Sequence, residues 1–294
     1  MAKGGRFGEF ASWVSYFTTP RFAQELGRIS IPKIDGAVWI KMSGNEQERI
    51  YGRNPVREVL RAGRRRVYQI QLAEGVKEQE LLVEIIDRAQ ANGIRVERVP
   101  KNKLDREASH HQGVVAITDP FEYGSIEEML EIAAERGQTP WILLLDMIQD
   151  PQNLGTLLRT AEAVGIHGVV IPTHRSATVT PAVVSASSGA SEYMIIARRN
   201  LSDAIERLKK DGLWITGLEG SPEATIYWDA DFKGPLGLVV GSEGAGMRRR
   251  VRESCDFLVR IPMGGAIESL NASVAGAIVL YTILERRGLD FPDV

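Results

Sequence analysis

Along residues 140–287, short apolar runs alternate with amphipathic stretches. "WILLLD", "GVVIP", "YMIIA", "LWITGL", "LGLVVG" and "FLVRIP" are nearly unbroken apolar segments. Runs of this kind predict strands covered on both faces. Between them Leu154–Val164, "PAVVSAS", "LSDAIERLKKDG" and Ser269–Arg287 carry helical spacing, with Gly165 and Gly288 as stops. The pattern predicts an α/β domain with a parallel sheet under helices, whose ligands belong beyond the carboxyl ends of strands.

Residues 47–120 predict a second, smaller α/β unit. "IYGRNPVREVLRAG" gives a helix with Asn54 as N-cap, Pro55 in its first position and Gly63 as its stop. "VYQIQLA", "IRVERV" and "GVVAIT" predict strands, and "EQELLVEIIDRAQANG" a helix ending at Gly93. Residues 121–139 hold one further helix and predict a connector to the domain at 140–294. Residues 1–46 differ: Phe7, Phe10, Val14 and Phe17 recur at helical spacing before a stretch without period. They predict a short amphipathic helix on a flexible extension.

Composition narrows the classes. The 294 residues are 44% hydrophobic and 25% charged, which excludes general disorder and leaves room for two domains. One cysteine, Cys255, excludes an internal disulfide and a cysteine-rich zinc site, and four histidines offer little metal-ligand material, so no metal is expected. Cys255 is expected as a small core residue. The chain has no apolar stretch of membrane-spanning length and no secretory hydrophobic region at its start, so a cytoplasmic protein without membrane partners is expected. A net charge of -2 means that nucleic-acid binding needs a local patch. Arg53, Arg57 and Arg61 stack on one helix face, Arg64, Arg65 and Arg66 follow, and only Glu58 offsets them. This face is a candidate RNA contact, with a solvated surface as the alternative.

Chemistry gathers after three strands: "MIQDPQNLGTLLRT", "SEGAGM" and "MGGAIESLNASVAG". These converge if their strands are neighbours. Gly241 and Gly246 have the spacing of a phosphate loop, but Met247 and Arg248 replace the lysine and hydroxyl residue, and Glu243 stands where backbone amides would meet an anion. The loop therefore suits an uncharged or cationic ligand. The stripe Leu154, Leu157, Leu158, Ala161 and Val164 turns Arg159 outward, while Asn153 would serve as an ordinary N-cap. Ser269, Asn271 and Ser273 stand at the start of a helix apolar almost all round, which predicts its burial. Each needs a partner there, since an unsatisfied buried polar group costs about 1–3 kcal/mol.

These three segments, with order and spacing intact over Trp141–Arg287, resemble the SpoU branch of the SPOUT RNA methyltransferases. "DPQNLGTLLRTA", "VVGSEGAGM" and "IPMGGAIESLNASVAGAIVLY" match its three motifs. "IYGRNPVREVL" and "HHQGVVA" resemble the ribosomal-protein-like RNA-binding domain of bacterial 23S rRNA guanosine 2'-O-methyltransferases. The resemblance implies a SPOUT domain with a trefoil knot and S-adenosylmethionine as methyl donor, held by the backbones of Gly241, Ile261 and Leu270. It further implies active-site roles for Asn153, Arg159, Glu243, Ser269 and Asn271, a homodimer paired through the last helix, and 23S rRNA or a ribosomal precursor as partner. A tRNA or other rRNA target, or a non-catalytic ribosome-assembly factor on the same fold, are the alternatives.

Overall fold

The computed structural model describes residues 47–288 apart from residues 78, 109 and 245. The helix expected around Phe7–Phe17 lies outside the described residues.

The N-terminal module runs β1 (Glu48–Tyr51), α1 (Arg53–Ala62), β2 (Val67–Ala73), α2 (Glu80–Ala91), β3 (Arg95–Val99), α3 (Lys101–Glu107) and β4 (Val114–Thr118). Its sheet has the order β1-β4-β2-β3, with β2 and β3 parallel and the other pairs antiparallel. Periodicity missed β1 and α3, each too short to show a period. α1 also starts earlier than its cap residues suggested. Gly52, at φ 95°, is the N-cap, so Asn54 and Pro55 lie inside the first turn. Only glycine takes that φ without strain, and it swings the chain from β1 straight into the helix. Gly63 ends α1 in the left-handed conformation, as expected, its N–H bonded to the Val59 carbonyl.

The chain continues through α4 (Ile126–Glu135), β5 (Trp141–Leu145), α5 (Pro151–Ala163), β6 (Gly168–Ile171), α6 (Pro181–Ala186), a 3-10 turn at Ala190–Tyr193, β7 (Ile196–Arg198) and α7 (Leu201–Lys210). Then come β8 (Trp214–Leu218), β9 (Thr225–Ile226), β10 (Leu236–Val240), α8 (Arg249–Ser254), β11 (Phe257–Arg260) and α9 (Ala272–Arg287). All seven strands are parallel, in the order β7-β6-β5-β10-β8-β11-β9. β5, β6 and β10 are buried at every position, which is what their unbroken apolar runs encode.

Ser125 and Glu128 close a capping box at the start of α4. Ile126 and Met129 of that helix share one core with Ile142, Leu144, Val170 and Val239, so the helix between the two expected domains packs as part of the larger one. The last helix corrects an expectation. α9 begins at Ala272 instead of Ser269 and is not buried all round: Val274 is 48% and Tyr281 53% exposed, while Val279, Leu280 and Ile283 are buried. Cys255 packs against the core as expected, and burial pushes its thiol up to about 12, leaving it unreactive.

Candidate active site

Val240 pairs in register with both Leu145 and Leu218, so β5, β10 and β8 end level and their chains leave the sheet side by side. β11 lies beyond β8, so the third strand is not a neighbour of the first two. Convergence comes instead from the loop after β11, which brings Asn271 back over the end of β10.

The carboxylate of Asp146, fully buried, accepts from the Arg248 backbone N–H and Nε, both at 2.7 Å. This pins the far end of the loop after β10. Its near end is as tight: a Cβ on Gly241 would lie 2.5 Å from the Gly246 carbonyl carbon and 2.6 Å from the Met247 nitrogen. Ser242 and Gly246 exchange backbone hydrogen bonds at 3.1 and 3.0 Å. The loop is thus folded onto its own backbone, with Glu243 carried outward to solvent. Asp146 was not singled out from the sequence and Arg248 was noted only as a departure from a phosphate loop, although a carboxylate ending the apolar run "WILLLD" was a usable signal.

Two expected residues, Asn153 and Asn271, meet a third, Glu243. Asn153 Nδ2 donates to its Oε1 at 3.0 Å, Asn271 Nδ2 donates to the same oxygen, and the Ala272 N–H approaches it at 3.4 Å. Asn271 Nδ2 also donates to Asn153 Oδ1 at 3.0 Å, closing the ring. Meanwhile Asn271 Oδ1 accepts from the Ser273 N–H at 2.9 Å, the Ser273 hydroxyl at 2.6 Å and the Val274 N–H at 3.3 Å. Asn271 is therefore the cap of α9 and a member of the cluster at once. Asn153 is no N-cap. Asp150 fills that place, accepting from the Gln152 N–H, with Pro151 in the first position, and this leaves the Asn153 carbonyl oxygen to accept from Asn271.

Arg159 and Ser269 stand outside the cluster. Six residues along α5 from Asn153, Arg159 is about 9 Å farther up the axis and on another side. It is exposed, as the apolar stripe predicted, and donates to Ser188 Oγ at 3.2 Å. Ser188 holds a left-handed φ of 54°, and the sequence carried no signal for it. The next residues, Ala190–Tyr193, pack on α1, where the Tyr193 hydroxyl donates to Glu58 at 2.6 Å. Ser269 is exposed and has no partner among the described residues. Of the expected cofactor residues, Gly241 and Ile261 follow β10 and β11 on either side of β8, and Leu270 adjoins Asn271.

The arginine patch divides. Arg65 is buried, its guanidinium bonded to both oxygens of Glu192 at 2.9 and 2.8 Å and also to Glu48, so it cannot contact RNA as the sequence suggested. Burial pushes the Glu192 carboxyl upward, and Arg65 opposes that shift. Arg64 donates to the Met194 carbonyl at 2.6 Å, and Arg57 and Arg61 flank Glu58 at 2.6 and 3.5 Å. Arg53 is held by Gln112 and Gln79, and Arg66 lies 4.9 Å from the Tyr68 ring centre. Among the described residues no group of three or more His, Cys, Asp or Glu is placed to hold a metal, and no helix is long and apolar enough to cross a membrane.

Residues 140–281 match the SpoU rRNA Methylase family, and residues 49–124 match RNA 2'-O ribose methyltransferase substrate binding. A protein of Bacillus subtilis (strain 168), YacO, named as a TrmH family tRNA/rRNA methyltransferase, is 39% identical over 244 residues, which is 82% of this chain and 97% of that one. An RNA 2'-O ribose methyltransferase crystal structure superposes with a TM-score of 0.68 at 25% identity, over 83% of this chain and 90% of the other. An AdoMet-bound rRNA methyltransferase from Sinorhizobium meliloti does so with a TM-score of 0.67 at 25% identity, over 83% and 88%.

Proposed function

The chain belongs to the SpoU rRNA methylase family, and on that premise we propose that it methylates the 2'-hydroxyl of one guanosine in the peptidyl-transferase loop of 23S rRNA, using S-adenosylmethionine. The observation that carries this reading is the Asn153–Glu243–Asn271 cluster. It joins the ends of β5 and β10 to the start of α9, with Glu243 and Asn271 exposed and Asn153 half-buried.

The loops suit such a donor. No lysine sits in the glycine turn after β10, Glu243 tolerates a cation, and the walls at Gly241, Ile261 and Leu270 can offer backbone groups to an adenosine. When bound, S-adenosylmethionine supplies an electrophilic methyl group. Asn153 and Glu243 orient the ribose, and Ser269 and Asn271 hold the third loop and the substrate. The 2'-oxygen must then lie in line with the methyl group, a geometry that rigid loop ends are suited to impose. A guanidinium is a cationic donor and a poor base, so the role of Arg159 is to bind the RNA phosphate and stabilise developing alkoxide charge. Its place on α5, away from Asn153, supports service to the partner subunit's site in a homodimer. The exposed Val274 and Tyr281 on α9 support that pairing. β10 inserted between β5 and β8 supports the trefoil knot, and RNA as substrate supports a cytoplasmic location.

The test is methyl transfer from labelled S-adenosylmethionine to unmodified 23S rRNA, then nuclease digestion and mass spectrometry. One 2'-O-methylguanosine in the peptidyl-transferase loop is the expected product. Labelling of tRNA instead would move the target, a reading favoured by the tRNA/rRNA designation of the Bacillus relative. A protein that binds the cofactor and labels no RNA would be an assembly factor.

A further inference from the structure

We propose that the N-terminal module carries, apart from the methyl-transfer site, a pocket for one unstacked nucleotide of the RNA substrate. The identity of the ligand rests on the RNA-methylation reading; the pocket rests on its own geometry. A cavity of about 630 Å³ opens at one end of the four-stranded sheet, lined among others by Arg53, Val76, Lys101, His111 and Gln112. All four strands reach it from the same end: Tyr51 pairs with Val115, Leu72 with Val114 and Ala73 with Val99. The motifs "GRNP" and "HHQG", which the methyl-transfer site does not use, are the ones that meet there.

The lining is fixed before any ligand arrives. Arg53 Nε donates to the Gln112 carbonyl at 3.2 Å, its backbone N–H donates to Gln112 Oε1 at 3.1 Å, and its Nη1 donates to Gln79. Gln112 holds a left-handed φ of 52°, a conformation that a non-glycine residue keeps only when its neighbours enforce it. His111 is 4% exposed, and its Nδ1 accepts the Gly113 N–H at 2.9 Å, so Nε2 carries the proton toward Asp105 Oδ1, also at 2.9 Å. A Cβ on Gly113, at φ 85°, would strike Val76 Cγ2 at 2.5 Å, which leaves glycine the only residue that lets the two loops close.

The chemistry selects a nucleotide over a bare phosphate track. Ala73 and Val76 give an apolar wall. Glu74 and Asp105 offer acceptors, Arg53 and Lys101 offer cationic donors, and Gln112 carries an amide. Among the described residues Lys101 has no anionic partner. A groove that only gripped the backbone would be lined by cations, whereas a base edge presents donors and acceptors together. Bases that specific RNA readers recognise are splayed out of loops in this way. Phosphate contacts along α1 would then position the RNA, and this pocket would read it.

Full-length protein is cross-linked to 4-thiouridine-substituted 23S rRNA transcripts, and the cross-linked peptides are mapped. Expected are cross-links in residues 73–76 or 111–113, and an RNA Kd raised about tenfold by Lys101→Glu, a surface change that leaves S-adenosylmethionine affinity as it was. Cross-links confined to residues 57–62 and α5, with the Lys101→Glu Kd within about twofold, overturn the pocket. A free mononucleotide that shifts the His111 ring resonances when RNA does not would make this a free-nucleotide site and overturn the RNA assignment. Methyl transfer by the wild-type chain on the same transcripts reads the reaction separately. Pocket cross-links without transfer leave the pocket and remove the reaction on 23S rRNA, and transfer without pocket cross-links keeps the reaction and removes the pocket.

Discussion

Two polar clusters in this protein tie together residues far apart in sequence, and they differ in one respect. Arg65, Glu48 and Glu192 join the N-terminal module to the 3-10 turn before β7, with Arg65 and Glu192 side chains only 2% and 1% exposed. Asn153, Glu243 and Asn271 join three loops of the larger sheet and stay open to solvent. Burial forces the first cluster to pair completely, because an unpaired charge there would bear its full desolvation cost. Nothing forces the second. Water could satisfy each of its groups, so its members can trade one another for a substrate. Pairing under burial is spent on the fold, and pairing at the surface of strand ends is available to chemistry.

The largest expected effect breaks the buried cluster. Arg65→Met leaves Glu192 without its partner and is expected to cost about 3–5 kcal/mol in urea unfolding, whereas pairing it with Glu192→Leu restores much of that loss. Recovery that fails to appear would mean that the charges do more than satisfy one another.

Glu243→Ala attacks the open cluster and should give the opposite profile. Methyl transfer falls by about a hundredfold to a thousandfold, while stability changes by less than about 1 kcal/mol. A comparable loss of stability would place Glu243 in the class of Glu192.

His167 supplies the smallest test. It is 6% exposed, with Nδ1 accepting the Trp141 N–H at 3.1 Å and Nε2 facing Gln138 at 3.0 Å. Burial, with Arg136 next, lowers its pKa to about 4 from an ordinary 6.5. Below pH 6.5 the unfolded chain takes up a proton that the folded chain refuses, so stability is full above that value and falls as the pH drops toward 4. The expected loss is about 2–3 kcal/mol, read as the difference in pH slope between wild type and His167→Gln. Equal slopes would show that the buried ring carries no such linkage.

Strong periods were legible and weak ones were not. The unbroken runs at β5, β6 and β10 and the stripe of α5 leave little choice of element, and the outward position of Arg159 followed from that stripe alone. β1 and α3 are too short to announce themselves. Helix starts failed where a cap lay upstream: Gly52 displaced Asn54 and Asp150 displaced Asn153. The second error hid chemistry, because a cap reading assigns the Asn153 carbonyl oxygen to its own helix, whereas that oxygen accepts from Asn271. Arg65 misled for a related reason. In a row of three arginines nothing local distinguishes the one that points inward, since its partners are 17 and 127 residues away.

By itself the sequence determined the long strands and helices of the larger domain and that its sheet is parallel and covered, and it showed that the glycine loop lacks the lysine and hydroxyl residue of a phosphate loop. Those follow from period, apolar content and side-chain chemistry, which act over a few neighbouring residues. Only the tertiary structure decided that β11 lies beyond β8 while its loop returns to β10, that Asn153, Glu243 and Asn271 share one hydrogen-bonded ring, and that Arg65 faces the interior. The same holds for the cavity where four strand ends of the small module meet. Each of these depends on contacts between residues distant along the chain, and local pattern carries no term for a partner it cannot see.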